Sequence, residues 1–233
     1  MGKFVSKGLC MLCGDETDSS GILRHLKSCF VKKLKAEPKE SSSDANRKSF
    51  FIINIKGRYN PQYWLYIGIS SKATFERIDY FLRDIWLECC GHLSDFEFGR
   101  ECLSDGYVNG IKNRGMKTEL HALLMPGSKF TYTYDFGSST ELELKVAAEY
   151  FYPENKTKDG IILLGRNIPP KILCDKCGEP ATLICPICYY SNEAFFCKKC
   201  SKKHKCEEDY FLPVVNSPRT GVCAYTGNLD MDA

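Results

Sequence analysis

The sequence predicts an α+β fold: an antiparallel sheet with one main helix, flanked by an N-terminal ββα-like zinc finger and a C-terminal double-zinc module of the cross-brace kind. Three observations lead there. Cysteines cluster at both ends of the chain. Between the clusters lie segments rich in aromatic and β-branched residues, some in strict alternation, as strands with one buried face require. One segment instead repeats its apolar residues at helical spacing.

The elements follow in order. Residues 1–31 hold a compact Cys/His cluster and read as a zinc finger. Residues 32–49, KKLKAEPKESSSDANRKS, are charged and serine-rich and read as a flexible linker. Residues 50–168 read as the α+β domain. SFFIINIK and YWLYIGIS are its first strands. TFERIDYFLRDIWLECC places Phe75, Ile78, Phe81, Leu82, Ile85 and Trp86 on one helical stripe. SDFEFG is a short strand. KFTYTYDFGSSTELELKV alternates on both sides of DFGSS, which predicts a hairpin turning near Gly137. Residues 169–233 hold the dense cysteine cluster and a Gly/Pro-rich tail.

Composition narrows the function. The chain has 233 residues and 14 cysteines. Its first residues, MGKFVSKGLCMLCG, are too polar for a signal peptide, and no run approaches the ~18 apolar residues of a membrane span. A cytoplasmic location is therefore expected, where clustered cysteines mean metal more often than disulfides. The formal charge is +3, but ten ligand thiolates on three zinc ions bring it to about −1. Overall charge gives no argument for nucleic acid.

The C-terminal cluster has four ligand pairs: Cys174/Cys177, Cys185/Cys188, Cys197/Cys200 and His204/Cys206. A two-residue gap lets two thiolates reach one ion at ~2.3 Å, and a tetrahedral ion needs two pairs. Pairing is either sequential or cross-brace. Only seven residues separate Cys177 from Cys185, which is short for wrapping one ion, so the cross-brace is favoured. One site is then Cys174, Cys177, Cys197 and Cys200; the other is Cys185, Cys188, His204 and Cys206. The spacing resembles B-box and MYND-type fingers. Four protein ligands close an ion to water, which means structural zinc.

At the N-terminus Cys10, Cys13, His25 and Cys29 have the spacing of a ββα finger ending in Cys. Three structural zinc ions are thus expected in all. In such fingers the residues one before, three into and six into the helix meet bases. Those are Asp18, Gly21 and Arg24, and only Arg24 suits base reading. Lys27, Lys32, Lys33 and Lys35 are suited to phosphates. A zinc-held protein-contact knuckle weighs about equally.

YDFGSSTELELKV, FLRDIWLECCGHLSDFEF and LPVVNSPRTGVCAYTG together resemble the plasmid-pRiA open-reading-frame-three-like family, in its prokaryotic branch with a zinc finger on each end. The resemblance covers nearly the whole chain outside the linker. It implies an α+β central domain and an association with plasmids and transposable elements, and it brings no established activity. Many members read YDFG-D-D-W-E-H, whereas this chain continues from Gly137 as Ser138, Ser139, Thr140, Glu141 and Leu142. Two acids, the Trp and the His of that pattern are missing, which puts chemistry proposed from those positions in doubt.

Outside the clusters the candidates for chemistry are Cys89, Cys90, His92, Asp95, Cys102, His121, Asp135, Glu141 and Cys223. A Cys/His pair suits a nucleophile and base. The simpler account of CCGH is a helix end, with the cysteines packed inward, Gly91 capping and His92 at the dipole's negative end. Arg219 in the tail suits an anion, but a tail lying against the zinc module or the sheet is the simpler account. No P-loop, HExxH, GxSxG or GxGxxG motif is present. The expected function is a non-enzymatic, zinc-dependent binding module contacting nucleic acid or a partner protein. The alternatives are a metal-assisted hydrolase using His92, Asp135 and neighbours in a central cleft, and a structural scaffold; a fourth metal would point to an open site near His92, His121 and Asp135. No catalytic residue is assigned.

Overall fold

A computed structural model describes residues 6–34, 37–38, 49–99, 101–104, 107–108, 111–112, 115–151, 160–189, 193–206 and 210–228. The fold is α+β, mostly antiparallel sheet with few helices. The strands are β1 (Lys7–Cys10), β2 (Glu16–Asp18), β3 (Glu37–Pro38), β4 (Ser49–Gly57), β5 (Trp64–Ser70), β6 (Ser94–Phe98), β7 (Glu101–Ser104), β8 (Tyr107–Val108), β9 (Ile111–Lys112), β10 (Lys129–Tyr134), β11 (Thr140–Phe151), β12 (Ile161–Asn167), β13 (Leu183–Ile184), β14 (Phe195–Phe196) and β15 (Leu212–Pro213). The helices are α1 (Ile22–Leu34), α2 (Phe75–Leu82) and α3 (Lys198–Ser201). The chain divides into two compact units. The first is residues 1–79, 94–133 and 141–168; the second is 80–93, 134–140 and 169–233.

The first unit is built on one sheet in the order β2-β1-β12-β5-β4-β11-β10-β6-β7, with β3 added beside β11. β4 lies between β5 and β11, and its SFFIINIKG sequence is buried over most of its length. β10 and β11 are the two arms of the hairpin read around Gly137. The run IILLGRN forms β12, an element with no counterpart among the strands expected from sequence. A short apolar run lacks a period that distinguishes strand from helix.

The N-terminal finger contributes its strands to this sheet. β1 pairs with β12, Gly8 opposite Asn167 and Cys10 opposite Gly165. α1 then lies against the sheet: Ile22, Leu26 and Phe30 are fully buried in one cluster with Phe50, Ile52, Trp64, Tyr66, Tyr150 and Leu164. Gly8 permits the close approach, because a Cβ there would stand 2.1 Å from the Trp64 ring. The helix runs on to Leu34, three residues beyond the finger as read from sequence. Of the stretch read as a linker, residues 37–38 pair with β11, while residues 35–36 and 39–48, Lys35 among them, lie outside the described residues. Beneath the other end of the sheet Phe75 meets Phe96, Phe98 and Phe130 edge-on. The buried Asp79 accepts hydrogen bonds from Tyr132 Oη at 2.7 Å and Ser94 Oγ at 2.6 Å.

In the second unit α2 continues as a π-helical turn, Arg83–Leu87, which ends at Glu88. Such turns are rare and recur at functional sites. The tail residues of NSPRTGVCAYTG pack around it. Ser217 Oγ donates to Trp86 O at 2.7 Å, and Asn228 Nδ2 donates to Asp84 O and Oδ1 at 3.0 Å. Arg219 is fully buried and donates to Ser138 O, Thr140 Oγ1 and Asp135 Oδ2. The tail therefore lies against the hairpin turn, and the guanidinium is already committed to protein acceptors. The core of the C-terminal module is a three-stranded sheet, β14-β13-β15, with α3 beside it.

Candidate metal centres

Four sets of four Cys/His ligand atoms gather among the described residues, each set within 4.8 Å. The first is Cys10, Cys13, His25 and Cys29. Cys10 ends β1 and Cys13 lies in the turn that follows, where the Gly14 N–H donates to Cys10 O at 2.8 Å and Gly14 takes a φ of +81°, a conformation that favours glycine. His25 and Cys29 lie one turn apart on α1, so both face the knuckle. Cys13 Sγ is 3.3 Å from His25 Nε2. Cys10 and Cys29 are buried.

The second and third sets lie in the C-terminal module and alternate along the chain: Cys174, Cys177, Cys197 and Cys200, then Cys185, Cys188, His204 and Cys206. This is the cross-brace arrangement. The strand pairing explains it. β13 runs beside β14, Leu183 opposite Phe196, so the residues that follow β14 return to the first knuckle. Asp175 Oδ2 fixes that return by accepting from the N–H groups of Ala194 and Phe195 at 2.8 and 2.7 Å. The His204 ring packs on Phe196 and Phe211, with centroids at 4.5 and 5.6 Å, which orients Nε2 toward Cys188 Sγ at 3.4 Å. The Cys177–Cys197 and Cys188–Cys206 sulfurs are 3.7 and 3.8 Å apart. A tetrahedral ion with ~2.3 Å bonds to sulfur has S···S edges of about 3.8 Å.

Thiol acidity points the same way. Burial and the neighbouring thiols Cys13 and Cys10 push Cys29 up to about 12. Cys177 and Cys197 push Cys200 up to about 12, and burial with Cys185 and Cys188 pushes Cys206 up to about 11. Burial also opposes ionisation of Cys174, but the N–H groups of Cys197, Lys176 and Cys177 outweigh it and hold the thiol down at about 6. In each of these three sets one thiol is held protonated by burial or by the crowding of neighbouring sulfurs, a cost of ionisation that a divalent cation offsets.

The fourth set is Cys89, Cys90, His92 and Cys223. All four stand among the sequence's candidates for chemistry, with only His92 given a metal-assisted role, and the simpler account of CCGH packs the two cysteines inward at a helix end. The structure corrects that: Cys89 is half-buried and Cys90 exposed. The physical reason is the π-helical turn, which ends the helix at Leu87 and leaves both cysteines in the following loop. Gly91 does take a left-handed φ of +71°, and its N–H donates to Glu88 Oε1 at 2.6 Å. No local spacing announces this set, because Cys90 and Cys223 are separated by 133 positions.

The remaining candidates are each engaged locally. His92 Nε2 comes within 3.6 Å of Asp135 Oδ2. Asp135 is already bound by Arg219 Nη2 at 2.7 Å and by the N–H groups of Gly137 and Ser138. Although its burial opposes ionisation, those donors hold the carboxyl down at about 2. It is a carboxylate committed to structure, poorly placed as a base. His121, in the first unit, pairs with Glu119 at 3.2 Å. Asp95 accepts from Cys102 Sγ at 3.6 Å, and Glu141 pairs with Arg58 at 2.6 Å.

Of the helix positions read for base contact, Asp18 Oδ1 accepts from the N–H groups of Ser20 and Gly21 at 3.0 and 2.7 Å and so caps the start of α1. Arg24, Lys32 and Lys33 are exposed and Lys27 half-buried. Lys32 and Lys33 also sit in the last turn, where they meet the negative end of the helix dipole.

No family model and no curated protein matches the chain. Among solved structures it is similar to a protein of unknown function from Methanosarcina mazei Go1, with 14% identity over 52% of this chain and 70% of that one, at a TM-score of 0.44. No helix among the described residues is long and apolar enough to cross a membrane.

Proposed function

We propose that the terminal clusters hold three structural zinc ions and that the protein is a non-enzymatic binding module. The observation that carries this reading is the closure of those sets: each offers four protein ligands, so no coordination position remains for a substrate or an activated water. The zinc supplies folding energy to a segment with little core of its own, on the order of 10 kcal/mol or more per site.

A protein partner is the first reading. Leu173, Ile187 and Tyr210 of the C-terminal module are more than half exposed, apolar surface that the module's own core does not use. Nucleic acid is the second, favoured by the exposed Arg24, Lys32 and Lys33 and by the half-buried Lys27 on the same helix. With Asp18 engaged in capping and Gly21 without a side chain, such contacts would fall on phosphates and carry no sequence preference. The link to mobile genetic elements that the family resemblance implies belongs to this second reading.

Filter binding to DNA and RNA over a salt series separates the two. Affinity that falls steeply with salt, and falls further in an Arg24→Ala/Lys32→Ala/Lys33→Ala variant, supports nucleic acid. No salt-sensitive affinity removes that reading. The protein reading then stands or falls on whether Ile187→Asp abolishes a partner interaction that the wild type makes.

A further inference from the structure

The fourth ligand set has a different origin from the other three. Cys89, Cys90 and His92 come from the loop after the π-helical turn, and Cys223 from the tail. Cys90 Sγ and Cys223 Sγ are 3.8 Å apart, and Cys223 Sγ is 3.6 Å from His92 Nε2. The sulfur spacing matches the tetrahedral edge of about 3.8 Å that the terminal clusters also display.

The surrounding residues support the same geometry. Cys223 holds a φ of +56°, one of two non-glycine residues in the left-handed region among those described. A non-glycine residue there is strained, and such strain gathers at sites where the surroundings fix it. Gly221, two residues earlier, brings the tail so close to Ile184 that a Cβ would stand 2.5 Å from Cδ1. Arg219 Nη2 donates to Cys89 Sγ at 3.4 Å while binding Asp135. A guanidinium directed at a ligand sulfur is the kind of outer contact that orients metal ligands and tunes their charge.

We propose that Cys89, Cys90, His92 and Cys223 bind a fourth divalent ion, zinc by the softness of the donors, which clasps the C-terminal tail to the loop after the π-helical turn. Three thiolates and one neutral imidazole around a divalent cation leave one net negative charge, and Arg219 stands beside it. None of the four ligands is buried, and Cys90 and Cys223 are exposed, whereas every terminal cluster has at least one buried ligand. The clasp ion is therefore the first of the four to exchange with solvent or pass to a chelator.

Native mass spectrometry tests this on the whole chain, equilibrated with excess zinc and then freed of loose metal by gel filtration. The wild type is expected to carry one more zinc ion than Cys223→Ser and than His92→Ala. Equal counts in wild type and both variants overturn the proposal. A second measurement needs no variant. In the zinc-loaded wild type Cys90 and Cys223 should resist alkylation despite their exposure, and become reactive under a mild chelator before Cys174 and Cys185 do. Immediate alkylation of both, or their recovery as a Cys90–Cys223 disulfide, overturns it equally.

Discussion

Arg219 Nη2 and Asp135 Oδ2 are 2.7 Å apart, with the arginine side chain fully buried and the aspartate nearly so. The pair joins the tail to the hairpin turn within the second unit, and Asp135 holds a left-handed φ of +66° to meet it. The Tyr134 ring stacks under the guanidinium at 4.9 Å. The Arg and the YDFG turn, two of the segments that carry the family resemblance, are thus the two halves of one structural contact.

Removing one half leaves a buried charge without its partner, which typically costs 3–5 kcal/mol. Arg219→Met should lower the urea midpoint of the second unit by an amount equivalent to about 3 kcal/mol, and the double variant Arg219→Met/Asp135→Asn should recover part of the loss. A single variant as stable as wild type would mean that the pair contributes nothing net.

Asp95 gives a pH-dependent prediction. Burial, with the Glu97 carboxylate nearby, raises its carboxyl above the ordinary 3.8, and Oδ1 is buried without a hydrogen-bond partner. A group whose pKa is raised on folding favours the native state below its unfolded value. That contribution is lost as pH rises through the folded value. Asp95→Asn should therefore raise the Tm at pH 7, with the gain shrinking as the pH is lowered toward 4. A gain that is constant with pH would assign the effect to packing instead.

Gly8 tests the joint between finger and sheet. An added Cβ would meet Trp64 Cη2 at 2.1 Å and Arg166 O at 2.7 Å. The Trp64 ring has little freedom to move, since it is buried and its Nε1 donates to Ser6 Oγ at 2.6 Å. Gly8→Ala should cost about 1–3 kcal/mol by overpacking. Thermal denaturation read on the whole chain checks this. A loss confined to zinc affinity at the N-terminus, with the sheet's melting unchanged, would show that the finger folds independently of the sheet.

The ligand pairs were legible from sequence because a CxxC knuckle is local: two thiolates three positions apart reach one ion whatever the rest of the chain does. The strands β4, β5, β10 and β11 were legible because alternation and β-branched content reflect a buried face directly. The cross-brace was favoured by a spacing argument, and its physical cause is the pairing of β13 with β14. What only the tertiary structure decided are the contacts made across long separations. β1 takes its place beside β12, and the finger helix becomes part of the sheet's own core. Cys223 meets Cys89, Cys90 and His92 because the tail returns across the π-helical turn, anchored by Ser217 and Arg219. Sequence records which side chains can bind a metal; chain closure over 133 positions depends on packing elsewhere, and so it leaves no local pattern to read.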